Sequence, residues 1–238
     1  MTINLNRRLF VDTLLGPASK LADNICLDVQ EDGTIKTLVT SNDNAAILLA
    51  SLPSKSKQSF KCIIPDCKTF LRLFAGIEQD EINLVVGTNA IEYISSSISF
   101  KYHLLDESYM IAKKSISEEK LNALEFDTTF EISKSKFSEI LKFNSIIPDA
   151  EKLYFVTKDG KVFAKIGDEQ RANTNEIVCE AAEQFQGSPI VENVPLNIQG
   201  ILLMSFAHDT IKVSVNHKLK IFKFATPYLK YIVSGLVK

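Results

Sequence analysis

Lys68 and Arg72 stand four residues apart in "PDCKTFLRLFAG". On a helix that spacing sends both cations out on one side, while Phe70, Leu71 and Phe74 can turn inward. The arrangement returns in "SKSKFSEILKFNSII", residues 133–147. There Phe137, Ile140, Leu141 and Asn144 follow the i, i+3, i+4, i+7 stripe of a half-buried helix. Lys134, Lys136 and Lys142 occupy the other side against the single acid Glu139, and Arg7 and Arg8 open a third such segment. Together these groups suit one kind of chemistry. Ammonium and guanidinium hold phosphate oxygens by charge, and without ordered contacts to base edges they do so regardless of sequence. Exposed charges are screened beyond about 8 Å at physiological salt, so the expected grip is weak, salt-sensitive and compatible with sliding.

The positive charge is local. The 238 residues carry 27 Lys/Arg against 29 Asp/Glu, a formal net charge of -2. The helix windows 5–22, 64–75, 133–147 and 195–207 hold eight basic and three acidic residues, or +5, which leaves -7 for the rest of the chain. The near-zero total argues against a simple base-reading domain. Two windows depart from the pattern. "PLNIQGILLMSFA" has no Lys or Arg, only Asn197 and Gln199 with His208 just beyond, and Gly200 weakens its helix. In the first window, Gly16-Pro17 should end or bend the helix after Leu15.

Catalytic constellations are missing from the pattern. His103, His208 and His217 are dispersed, only 9 glycines are present, and no phosphate-cradling loop, G-x-S-x-G or H-E-x-x-H occurs. Glu118-Glu119 reads as solvated surface. Cys26, Cys62, Cys67 and Cys179 lack C-x-x-C spacing, and Cys67 falls on an apolar helix face, so all four read as reduced packing residues. The expectation is a protein that is not an enzyme and needs neither metal nor cofactor. A hydrophobic fraction of 45% supports sizeable cores. No apolar run approaches the roughly 18 residues of a membrane span. Asp12 interrupts "MTINLNRRLFVDTLL" where a secretory signal would be continuously apolar, so the expected compartment is the cytoplasm.

The elements that must carry the cations come from a duplication. Shifted by 127, the chain places Leu5 on Ile132, Phe10 on Phe137, Leu14 on Leu141, Val29 on Val156 and Asp32-Gly33 on Asp159-Gly160. Each copy reads as a short strand, an amphipathic helix, a strand, a D-G hairpin turn and a returning strand. A shift of 129 joins "DEINLVV" (80–86) to "DTIKVSV" (209–215). Opening strands are expected near Leu5, Cys62, Ile132 and Ile198, which makes four strand-helix-strands units paired into two similar domains. The expected boundaries are 1–107, a connector at 108–127 with a helical turn at "SEEKLNAL", and 128–238. The fold class is α+β, with helices on one face of antiparallel sheets. Equivalent helices on one side of a sheet would point their cations toward one place, and copies set in a ring would add those fields at its centre.

At this level the sequence resembles the DNA sliding clamps, the two-domain type related to proliferating cell nuclear antigen and the processivity clamps of tailed phages. "KTFLRLFAGIEQDEINLVV" (68–86) is similar to that family's basic helix, acidic turn and strand. "FEISKSKFSEILKFNSIIPDAEKLYFVTKDGKVFAKIGD" (130–168) resembles the opening of its second domain, and "FKFATPYLKYIVSGLVK" its final strand and "LKY" tail. The resemblance implies the DNA clamp fold and a homotrimeric ring that encircles duplex DNA, tethers a polymerase and is opened by a clamp loader. It places Lys68, Arg72, Lys134, Lys136, Lys142, Arg7 and Arg8 toward the hole. Subunits would meet between the strand carrying Ile98, Phe100 and Tyr102 and the strand carrying Ile177, Cys179 and Ala181. Partner peptides would enter a groove walled by Ala45, Ile47 and Leu48, by Tyr109, Met110 and Ile111 of the connector, and by Tyr231, Ile232 and Val233 of the tail. The rival expectation is a monomeric or dimeric DNA-binding processivity subunit of the same fold.

Overall fold

The computed structural model describes residues 1–106, 108, 116–147, 149–168 and 174–236. The chain divides into two compact units, Met1–Asn122 and Ala123–Lys238. Unit 1 runs β1 (Thr2–Asn6), α1 (Arg7–Phe10), a π-helical turn (Val11–Leu15), α2 (Gly16–Leu21), β2 (Ile25–Val29), β3 (Thr34–Thr40), β4 (Ala46–Pro53) and β5 (Phe60–Ile64). It continues through α3 (Cys67–Leu73), β6 (Glu81–Val86), β7 (Ala90–Ile94), β8 (Ser99–His103) and α4 (Glu118–Asn122), the last within the expected helical turn. Unit 2 repeats the order with β9 (Thr128–Ser133), α5 (Lys134–Lys142), β10 (Lys152–Lys158), β11 (Lys161–Ile166), β12 (Ile177–Ala182) and β13 (Gln186–Gly187). It closes with β14 (Leu196–Asn197), α6 (Ile198–Leu202), β15 (Thr210–Asn216), β16 (Ile221–Ala225) and β17 (Leu229–Ser234).

Within each unit the two halves exchange their opening strands. β1 pairs with β6 of the second half while β5 pairs with β2 of the first. In unit 2, β9 likewise pairs with β15, and β14 with β10. The registers preserve the duplication: Leu5 lies opposite Ile82, and their counterparts Ile132 and Ile211 lie opposite each other. Alternation decides what is buried. Ile3, Leu5, Ile82, Leu84 and Val86 face one core; Phe130, Ile132, Ile211, Val213 and Val215 face the other. Aromatic rings fill the space beneath the helices. Phe70 meets Phe74 edge-on at 5.1 Å in unit 1, and Phe137 meets Phe206 at 5.6 Å in unit 2.

The two D-G turns differ. Asp159 and Gly160 both take positive φ, 52° and 77°, and close a two-residue hairpin between Lys158 and Lys161. In the first copy only Gly33 is positive, at 81°, and Glu31, Asp32 and Gly33 bridge Gln30 and Thr34, so the loop is one residue longer.

Gly16-Pro17 does not end the first helix. The helix passes through both residues to Leu21, and the chain accommodates the proline by widening the preceding turn, with the Gly16 N–H donating to the Val11 carbonyl. Proline lacks an N–H and crowds the carbonyl four residues back. A π turn just before it moves that carbonyl away and leaves Pro17 in the first turn of α2, where no N–H is required.

The helix of the fourth strand-helix-strands unit, α6, is cut to five residues, and its opening strand β14 to Leu196–Asn197. Gly200 sits mid-helix with open space where a Cβ would go and without a left-handed φ. Gly200→Ala is therefore expected to stabilise unit 2 by about 0.5–1 kcal/mol. Differential scanning calorimetry should show a rise of about 1–4 °C.

Candidate nucleic-acid interface and assembly edges

The helices that follow the four opening strands, α1, α3, α5 and α6, begin the same way. Each is capped by the last residue of the preceding segment: Asn6, Asp66, Ser133 and Asn197 accept from Leu9, Thr69, Lys136 and Gln199 at 2.9, 2.9, 3.1 and 3.0 Å. In each, the first helical N–H donates to the carbonyl of an acidic residue in the other half of its unit. The pairs are Arg7 to Asp80, Cys67 to Asp23, Lys134 to Asp209 and Ile198 to Glu151. The sequence carried this signal as a cap-type residue at or just past the end of each opening strand, but only the fold shows that the acids recur as partners.

Thr69 bonds the Asp66 carboxylate through both its hydroxyl and its N–H, which holds the acid below its ordinary pKa. A lowered folded-state value means that the stabilisation is complete above the unfolded value, 3.8, and is lost as pH falls through the folded one. Asp66→Asn keeps a capping side chain and removes the titration. It is expected to flatten the fall of thermal midpoint between about pH 5 and pH 2.

The candidate cations separate into two groups. On α3, Lys68 and Arg72 are exposed opposite buried Cys67 and Phe70. Lys68 lies 3.5 Å from Asp23, both well exposed, and such a pair retains little net energy in water. Among the described residues no carboxylate lies within ion-pair distance of Arg72, Lys134 or Lys142. Lys134 and Lys142 are exposed opposite buried Phe137 and Ile140 on α5. The second group is engaged. Arg7 is mostly covered, its Nε donating to the Gln79 carbonyl at 2.9 Å, and Asp80 pairs with both Arg7 and Arg8 at 3.6 and 2.9 Å. Lys136 pairs with Glu139 at 3.1 Å. Asp80 is brought to Arg7 and Arg8 by strand register and could not be assigned from the sequence, whereas Glu139 pairs with Lys136 at an i, i+3 spacing present in the sequence itself.

Two sheets end in strands with one open side. β8 terminates the order β1-β6-β7-β8, and β12 terminates β12-β11-β10-β14. Antiparallel ladders alternate bonded and open residues, so the turn hydrogen bonds fix which groups point outward. The Leu104 N–H donates to the Asn89 carbonyl and Ser95 to Ile98, so Phe100 and Tyr102 bond inward. The backbones of Ser99, Lys101 and His103 then face out. On the other sheet the Gly167 N–H donates to the Lys152 carbonyl, which turns Ile177 and Cys179 toward β11 and leaves the Val178 and Glu180 backbones open. The strand positions expected at the subunit contact thus lie on these edges, while the open backbone groups belong to their neighbours. Tyr102 is buried, with its hydroxyl bridging the Asp66 N–H and carbonyl at 3.0 and 2.8 Å. Phe100 packs on Tyr93, Ile98 and Cys179 are partly covered, and Ala181 is buried.

The expected groove residues are described within their own units. Leu48 is fully buried and Ile47 nearly so, with Ala45 half-buried in unit 1. Tyr231 and Val233 belong to the core of unit 2, Tyr231 accepting from the Ser205 N–H at 3.2 Å, and Ile232 lies on the opposite sheet face. Tyr109, Met110 and Ile111 fall outside the described residues. Burial pushes the Cys62 and Cys67 thiols up to about 12, which keeps them protonated and unreactive. Among the described residues no helix is long and apolar enough to cross a membrane.

This arrangement matches solved structures along the whole chain, and the fold is that of the DNA sliding clamps. A structure of A. fulgidus PCNA with the C-terminal region of FEN-1 bound superposes with a TM-score of 0.79 at 12% identity, covering 100% of this chain and 98% of the other. The PCNA2-PCNA3 complex of Sulfolobus tokodaii gives 0.74 at 14% identity over 99% of both chains. The DNA polymerase sliding clamp of Bacillus subtilis gives 0.79 at 13% identity, covering 100% of this chain but 64% of the bacterial one. No protein-family model and no curated protein matches the sequence.

Proposed function

We propose that this chain is a processivity clamp: three copies close into a ring around duplex DNA and hold a DNA polymerase on its template. The observation that carries this reading is the recurrence of cations, Arg72, Lys134 and Lys142, that have no carboxylate within ion-pair distance among the described residues, on the outward faces of duplicated helices within a sliding-clamp fold. Lys68 joins them, and Arg7, Arg8 and Lys136 add a weaker contribution because carboxylates share their charge. The chain acts by holding and does not catalyse. It needs no cofactor, and it works in the cytoplasm with a clamp loader that opens the ring.

Ring closure is supported by the two open edges, β8 on unit 1 and β12 on unit 2, which give each copy a donor edge and an acceptor edge. Such head-to-tail contacts close when the rotation permits and remove the exposed edges that invite aggregation. Partner tails are expected in a groove lined by Ala45, Ile47, Tyr109, Met110, Ile111 and Ile232, with Leu48, Tyr231 and Val233 supporting it from within. Its logic is an apolar anchor on a segment that orders upon binding.

The discriminating experiment combines native mass spectrometry with retention on DNA. A ring has about three times the monomer mass. It runs off linear duplex and stays on duplex with blocked ends. A monomeric or dimeric binder would leave linear and end-blocked DNA at the same rate, and that result would overturn the ring.

A further inference from the structure

The two Asp-Gly turns of the duplication carry the same pair of residues and are chemically unequal. In any such pair the glycine nitrogen can approach the aspartate carboxyl with little hindrance, because glycine brings no Cβ. Whether it does so depends on what holds the nitrogen and the carboxyl in place.

In unit 1 both groups are held. The Gly33 N–H donates to the Gln30 carbonyl at 3.1 Å, and the Gly33 carbonyl accepts from the Ser54 N–H. The Asp32 carboxylate accepts from the Thr34 N–H at 2.9 Å. Gly33 is half-buried, and a Cβ there would fall 2.7 Å from the Ser54 carbonyl oxygen. The turn is therefore packed against the chain that leaves β4, and neither reacting group is free to move.

In unit 2 the pair is exposed at the tip of the β10-β11 hairpin. A Cβ at Gly160 would meet nothing within 4 Å. Among the described residues neither the Gly160 N–H nor the Asp159 carboxylate has a hydrogen-bond or ion-pair partner. The turn is closed by the Lys158–Lys161 pair, the last step of its ladder, and such ends open at little cost in free energy.

We propose that Asp159-Gly160 is a site of spontaneous backbone isomerisation through a cyclic imide, and that the fold protects Asp32-Gly33 from the same reaction. When the turn opens, the Gly160 nitrogen attacks Cγ of the protonated Asp159 carboxyl. The N–Cγ bond forms, the Cγ–OH bond breaks, the nitrogen gives up its proton and a water molecule leaves. Water then adds back at either ring carbonyl. Cleavage of the N–Cγ bond restores aspartate. Cleavage of the bond from the nitrogen to the main-chain carbonyl leaves Gly160 joined through Cγ, a β-aspartyl link. Water is released and taken up again, so the reaction consumes no other reagent. The β-linked chain is longer by a methylene, and a two-residue turn built on positive φ at both positions cannot hold it. Lys161 then loses its place beside Glu180 of β12, 2.7 Å away. The inference does not depend on what the protein binds or how it assembles.

The test incubates the full chain in oxygen-18 water at neutral pH and then maps its peptides by electron-transfer mass spectrometry, which separates aspartyl from β-aspartyl links. Each imide that reopens takes up the heavy oxygen even when it returns to aspartate. Asp159 is expected to convert at least about tenfold faster than Asp32, a difference of about 1.4 kcal/mol in activation free energy. In urea the two rates should converge, because the fold no longer distinguishes the turns. Asp159→Asn keeps a residue favoured in this turn and is expected to convert faster still, with loss of ammonia. In the converted fraction, the Lys158 and Lys161 amides should exchange hydrogen faster than in the parent. Equal rates at the two sites in the folded protein, or a faster rate at Asp32, would overturn the proposal. So would an Asp159 that takes up no heavy oxygen while a free peptide of the same sequence does, or an Asp159→Asn variant that keeps its amide.

Discussion

Lys68→Glu, Arg72→Glu and Lys142→Glu in one chain are expected to lower DNA association by on the order of a hundredfold or more near physiological salt, with native mass and thermal midpoint unchanged. Each substitution replaces an attraction for phosphate with a repulsion, and copies in a ring would repeat the change around the hole. The slope of log affinity against log salt should fall by about 0.9 for every phosphate no longer neutralised. Folding should be insensitive because all three side chains are exposed and, among the described residues, only Lys68 has a carboxylate within ion-pair distance, at 3.5 Å. Lys57→Glu, an exposed lysine outside the helices, supplies the control. If the triple variant loads and supports processive synthesis as the parent does, the helices do not face DNA.

Val178→Pro is expected to reduce the native mass to that of a single chain and abolish retention on end-blocked duplex. Val178 lies on β12, is about half exposed, and turns its N–H away from β11, so proline removes no hydrogen bond within the unit. It removes a donor only from the strand that a neighbouring copy would add. Val178→Ala keeps that donor and should leave assembly intact. Circular dichroism separates a failure to assemble from a failure to fold. A proline variant that keeps both its secondary structure and the parent's mass would show that β12 is not the joining edge.

The duplication and the outward lysines of α3 and α5 were legible in the sequence because they depend on local spacing. Leu5 falls on Ile132 and Ile82 on Ile211, and the two ladders place these residues at equivalent positions. Three features were not legible, each for a physical reason. Gly16-Pro17 reads as a helix break on local rules, yet a π turn carries the helix through it. The partner of Arg7 and Arg8 depends on strand register and side-chain placement, and Asp80 is 72 residues from Arg8. On the edge strands, sequence alternation locates Phe100, Tyr102, Ile177 and Cys179, but the direction of each N–H depends on where the hairpin bonds begin. A shift of one residue exchanges the two sets.

The exchange of opening strands between half-units limits how this chain can be cut or lengthened. A fragment ending after β4 would leave β1 without β6 and β2 without β5, so it would expose two unsatisfied strands and should aggregate. Growth or shortening of such a protein is therefore workable only in whole units, because each first strand is completed by residues made much later in synthesis. On the ribosome, the nascent chain must hold β1 unpaired until β6 emerges, and a chaperone bound in that interval would cover the apolar face of Ile3 and Leu5.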